Sequence, residues 1–174
     1  AGTTNCALVN LACSGSIASR GIVLRNIRPA FPAEINGGSA ITLLTGTYED
    51  ITVEDCSNLQ PNWQGNFVST NQATGTIERL TIQNVSLTID NALKNTGWRS
   101  SVYLATGSGI VVREVNVINC SVRDNSAAGS KSYLVNLTAS GGSHGAVNIT
   151  NSRVKNCQAV LSNAFADSSL KIRM

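Results

Sequence analysis

The sequence predicts an all-β solenoid of about six stacked coils, and three observations predict it. Residues 45–57 (TGTYEDITVEDCS) return as residues 74–86 (TGTIERLTIQNVS), so Gly46 and Gly75, like Asp55 and Asn84, stand 29 positions apart. A fixed period of this length marks a repeat architecture. Looser copies occupy residues 22–27, 115–121 and 147–152, which sets anchor residues Asn26, Asp55, Asn84, Asn119 and Asn151 at intervals of 29, 29, 35 and 32. Finally, the positions two and four before each anchor are apolar in every copy: Leu24/Ile22, Val53/Ile51, Ile82/Leu80, Val117/Val115 and Ile149/Val147.

Each element of a coil follows from this pattern. Val and Ile at period two, with Thr and Asn between them, describe a strand with one face buried. Nine or ten residues before the anchors stand Gly46, Gly75, Gly109 and Gly142, suited to a corner that needs positive φ. A second apolar run lies in each coil at residues 41–44, 67–68, 102–104, 133–137 and 159–161, so a coil carries at least two strands. Equivalent strands of successive coils are expected to pair in parallel at about 4.8 Å. The anchors then stack as a ladder of four Asn and one Asp, with Ser57, Ser86 and Ser121 forming a polar column two positions later. Charges align too. Six residues before the anchors the column reads Arg20, Glu49, Glu78, Arg113; five before, it reads Gly21, Asp50, Arg79, Glu114, with alternating sign from coil to coil.

Composition bounds the rest. At 174 residues the chain is one domain (residues 1–174), and its opening and closing strand patterns are those of coils continuing into a longer chain. It is 42% hydrophobic and only 13% charged, which suits a polar-laddered solenoid and not a disordered chain. A net charge of +3 without a Lys/Arg cluster gives nucleic acid little to bind, and no run reaches the roughly 18 apolar residues of a membrane span. The five cysteines are odd in number, and Cys56 and Cys120 sit two coils, about 10 Å, apart with Val85 between them. They read as small buried residues. Cys6, Cys13 and His144 do not make a metal set, and no cofactor is expected.

The recurring pairs Asn119-Cys120 and Asn156-Cys157, with Asp55-Cys56 as a variant, each follow an alternating strand. They resemble the repeat of the right-handed parallel β-helix of the pectate-lyase-like superfamily, most of all that of bacteriophage tailspikes. The resemblance covers nearly the whole chain. It implies a homotrimer that recognises a bacterial surface polysaccharide from the virion, at the phage tail, after assembly in the host cytoplasm. Reduced thiols agree with assembly in a cytoplasm. So do the sequons at Asn84, Asn119, Asn136 and Asn148, which fall on strand or ladder positions where a secreted protein would not carry glycans.

On a solenoid the loops carry function. Those after the anchors hold Phe31, Trp63 and Trp98, with Lys94 and Arg99 nearby. Aromatic faces beside charged groups suit a saccharide, whose C–H faces stack and whose hydroxyls need polar partners; the same rings would equally fill loop cores or a subunit interface. Asp90 and Asp124 lie six and five residues after Asn84 and Asn119 on adjacent coils. They are the candidate catalytic carboxylates of a glycoside hydrolase, whose pair stands about 5–9 Å apart; the alternative is two solvated loop acids. Lys94 or Arg99 stabilising an enolate would instead mark a polysaccharide lyase. Three readings therefore stand: a tailspike-like recognition segment with or without cleavage, a secreted pectinase-like hydrolase or lyase, and a structural spacer or trimerisation segment.

Overall fold

The computed structural model describes residues 6–13, 18–30, 36–59, 64–70, 74–90, 99–105, 109–126, 131–138, 142–163 and 171–174. Every regular element among them is a strand: β1 (Cys6–Leu11), β2 (Ile22–Arg25), β3 (Asn36–Leu43), β4 (Gly46–Glu54), β5 (Gln64–Ser69), β6 (Gly75–Gln83), β7 (Ser86–Ile89), β8 (Arg99–Ala105), β9 (Ile110–Ile118), β10 (Ser121–Asp124), β11 (Lys131–Leu137), β12 (Ser143–Thr150), β13 (Arg153–Lys155), β14 (Ala159–Asn163) and β15 (Lys171–Arg173). A first sheet runs β1-β3-β5-β8-β11-β14, a second β2-β4-β6-β9-β12-β15, and a third β7-β10-β13. The pairings are parallel throughout. The chain is a parallel β-solenoid, as its repeat predicts.

Three turns, β6-β7-β8, β9-β10-β11 and β12-β13-β14, contribute a strand to every sheet. Complete turns thus number about three, where the sequence predicts about six coils. The repeated alternating strand counts rungs of the second sheet alone. The short third-sheet strand forms after only some of the anchors, and reaches Ser57 as no more than an isolated bridge to Ser86.

The anchors are corners. Asn26, Asp55, Asn84, Asn119 and Asn151 all have φ between 49° and 58°, and so does Asn156 at 58°. This left-handed conformation is one that Asn and Asp visit far more readily than other residues with a Cβ. At Asn84, Asn119 and Asn151 it turns the chain out of the second sheet and into the third, and at Asn156 out of the third and into the first. The predicted ladder forms on top of it: Asn84 donates to Asp55 Oδ1 at 2.9 Å, and Asn119 to Asn84 Oδ1 at 3.4 Å. The Asn-Cys pairing has its own logic. The residue after the corner points inward and donates back to the carbonyl two residues before it: Cys56 to Glu54, Cys120 to Ile118, Ser152 to Thr150 and Cys157 to Lys155, at 3.0–3.4 Å. A small side chain with one donor both fills the corner and satisfies a strand-end carbonyl. Burial raises the Cys120 thiol pKa to about 11.

Glycine does a different job. Gly75 has φ 118°, and a Cβ there would lie 2.1 Å from the Gly46 carbonyl oxygen on the coil beneath. Only hydrogen fits. Between the inward residues Tyr48 and Ile51 two residues in succession, Glu49 and Asp50, turn outward, and β6 and β9 repeat this at Glu78-Arg79 and Arg113-Glu114. A bend therefore runs down the second sheet. The predicted charge columns lie along it, with Arg20–Glu49 at 2.8 Å, Asp50–Arg79 at 3.0 Å, Arg79–Glu114 at 3.5 Å and Glu78–Arg113 at 2.8 Å. Ile51, Val53, Leu80, Ile82, Val115, Val117 and Val147 fill the interior behind it.

The first sheet departs from the one-sided burial that the alternation predicts. Every residue of β11 from Ser132 to Leu137 is buried, as are Phe67 and Val68 side by side in β5. These strands are buried on both faces, whereas β1 at the edge of the sheet alternates, with Leu8 and Asn10 exposed.

Candidate functional site

The third sheet presents an outward face on which hydroxyls and cations gather. Its strands are short and alternate cleanly. Leu87, Ile89, Val122 and Asp124 are buried, while Ser86, Arg123, Arg153 and Lys155 are exposed and Thr88 and Ser121 are half-buried. Register sets two outward columns: Ser86–Ser121–Arg153 and Thr88–Arg123–Lys155. Together with Val122 and Val154 these six residues line a groove of about 510 Å³.

The groove is built from hydroxyls and cations. Ser86 Oγ and Ser121 Oγ are 3.0 Å apart. Arg123 Nε donates to Asn125 Oδ1 at 2.9 Å, which holds the guanidinium along the strand. Beyond β7 the sheet is continued by side chains: Asn58 donates to the Thr88 carbonyl at 2.6 Å and accepts from the Thr88 amide at 2.9 Å, in place of a backbone ladder. Beside it Arg28 donates to Ser57. Among the residues lining the groove none is acidic. The bend of the second sheet is the opposite case, since every arginine there has a carboxylate on a neighbouring coil.

The two predicted catalytic carboxylates are brought to adjacent coils but not to one face. Asp124 is the register partner of Ile89, not of Asp90, and is 2% exposed. Its Oδ2 accepts from Ser132 Oγ at 2.6 Å and its Oδ1 from the Ser126 amide at 2.9 Å, so it closes the corner between the third sheet and the first. Asp90 follows Ile89 and is exposed at the end of the outward face. Arg99 opens β8, where its backbone pairs with Lys131. Phe31, Trp63, Lys94 and Trp98 lie outside the described residues.

The sequence reading missed Arg123, Arg153 and Lys155. The signal was the run after each anchor, Ser86-Leu87-Thr88-Ile89, Ser121-Val122-Arg123 and Arg153-Val154-Lys155, in which polar and apolar residues continue to alternate for one short strand. The serine column was its visible part.

Tyr103 reaches across the core to His144 Nε2 at 2.9 Å, and full burial holds the tyrosine hydroxyl well above its ordinary pKa. Chemically, the groove is equipped to bind and orient, through hydroxyls and cations set in register on parallel strands. Among the described residues no group of three or more His, Cys, Asp or Glu is placed to hold a metal. No family model, curated protein or solved structure matches the chain.

Proposed function

We propose that the protein is a glycan-recognition β-solenoid of the tailspike kind, which holds a bacterial surface polysaccharide against the outer face of its third sheet. The observation that carries this reading is the groove over Ser86, Thr88, Ser121, Arg123, Arg153 and Lys155. A polysaccharide needs many polar partners spread along a line, and the stacked strands supply a hydroxyl or a cation at every rung of each column, about 4.8 Å apart. The tailspike resemblance of the Asn-Cys repeat adds a homotrimer in the phage virion to the proposal. Cleavage is left out of it, because Asp124 is engaged inside the solenoid while Asp90 faces solvent, and two carboxyls must flank one bond to hydrolyse it.

The test is titration of the protein against a panel of bacterial surface polysaccharides, with Ser121→Leu to fill the groove. The reading predicts binding to at least one polysaccharide and its loss in Ser121→Leu without loss of β structure. Unchanged binding in the variant, or none to any member by the parent protein, would refute it.

A further inference from the structure

We infer that the polysaccharide taken by this groove is anionic, and that Arg123, Arg153 and Lys155 hold its carboxylate, phosphate or sulfate groups. The inference rests on the glycan reading above and gives its ligand a charge. Arg123 and Lys155 are direct partners in the β10–β13 ladder, and Arg153 lies two residues before Lys155 on the same outward face. Two residues of strand span about 6.6 Å and adjacent rungs about 4.8 Å, so three cations converge on an area no wider than one or two sugar rings. Like charges placed directly opposite each other on a sheet destabilise it.

Along the bend of the second sheet every charge instead has an opposite partner. Asp50, Arg79 and Glu114 occupy consecutive rungs of one column and alternate in sign, with Arg79 contacting both neighbours. Arg25 is likewise paired with Glu54 on the next coil. The groove sets exposed cation beside exposed cation with no acid among its lining residues, and its remaining polar residues, Ser86, Thr88 and Ser121, are neutral hydroxyls that also bond anionic oxygens. A bound anion is the missing partner. Two features favour a glycan over a nucleic acid: no aromatic side chain lines the groove to stack on bases, and hydroxyls make up half of its outward side chains.

The experiment uses acidic and neutral bacterial surface polysaccharides, each acidic one also in carboxyl-reduced, dephosphorylated or desulfated form, and a single-stranded oligonucleotide. Affinity is measured for the parent protein and for the Arg123→Gln/Lys155→Gln variant. The inference predicts binding to an acidic polysaccharide that weakens at least about tenfold when its anionic group is removed, at least about tenfold in the variant, and steeply with added salt. Which treatment abolishes binding identifies the anion. A neutral polysaccharide bound equally well by parent and variant, yet lost in Ser121→Leu, would overturn the inference and leave the glycan reading intact. Binding to no polysaccharide would overturn both. An oligonucleotide bound more tightly than any glycan would overturn the choice of ligand.

Discussion

Arg123 and Lys155 face each other across the ladder of β10 and β13, both exposed, with no acidic residue among those lining their groove. The pair is a local conflict, whereas every charge along the bend of the second sheet has an opposite partner on an adjacent coil. Such conflicts are characteristic of binding sites, where stability is given up for affinity.

Lys155→Glu should therefore raise the stability of the free protein, by about 0.5 kcal/mol at low salt, as a like-charge pair becomes an opposite one. Added salt should stabilise the parent more than the variant. Urea denaturation at two ionic strengths measures both effects. A variant less stable than its parent at low salt would mean that the repulsion is already relieved.

The left-handed corners give a second expectation. Asn84→Ala should cost about 1–2 kcal/mol, the penalty of left-handed backbone for a residue with an ordinary side chain. Asn84→Gly should cost less, because it keeps the conformation and loses only the exposed bonds to Asp55 and Asn119. If glycine proves worse than alanine in denaturant melts, the ladder and not the corner explains the anchor.

Gly75 and Gly21 should behave oppositely. Gly75→Ala drives a methyl to 2.1 Å from the Gly46 carbonyl oxygen and should lose about 3 kcal/mol or more. Gly21, at φ 62° with open space around it, should accept asparagine with little change. Thermal melts of the two variants, compared with the parent, test this; a folded, stable Gly75→Ala protein would show that the coils are not in the described register.

Glu54 sets the acid side of stability. The Arg25 side chain, and next to it Gln83 at 2.6 Å, hydrogen-bond its carboxylate and hold its pKa below the ordinary 4.5. A group whose folded pKa is depressed contributes stability that is complete above its unfolded value and lost as pH falls through the folded one. Between about pH 5 and pH 3 the parent should thus lose stability faster than Glu54→Gln. Parallel slopes in the two proteins would remove Glu54 from the account.

Much of this was legible in the sequence because side-chain periodicity carries it. The 29-residue offset placed Asp50 on Arg79 and Asp55 on Asn84 in the register the ladders show. What backbone conformation carries was not. Asn at the anchors reads as a side-chain ladder until its φ is seen, and then the exposed amide bonds are the lesser reason for its presence. Where a third-sheet strand follows a corner it is only three or four residues long, and so brief a periodicity is easily overlooked. Parity was available, however. Asp90 and Asp124 lie an even and an odd number of residues past equivalent corners, which on a strand places them on opposite faces.

The groove exists only if β7 and β10 lie in parallel with Ser86 against Ser121, and a crosslink reads that register directly. In a Ser86→Cys/Ser121→Cys variant, mild oxidation should join the two positions, whose hydroxyl oxygens are now 3.0 Å apart, and peptide mass mapping should recover the 86–121 disulfide. The Ser86→Cys/Arg123→Cys variant, displaced by two residues along the strand, should stay reduced under the same conditions. Ready crosslinking of 86 to 123, with none between 86 and 121, would contradict the stacked third sheet and the binding face built on it.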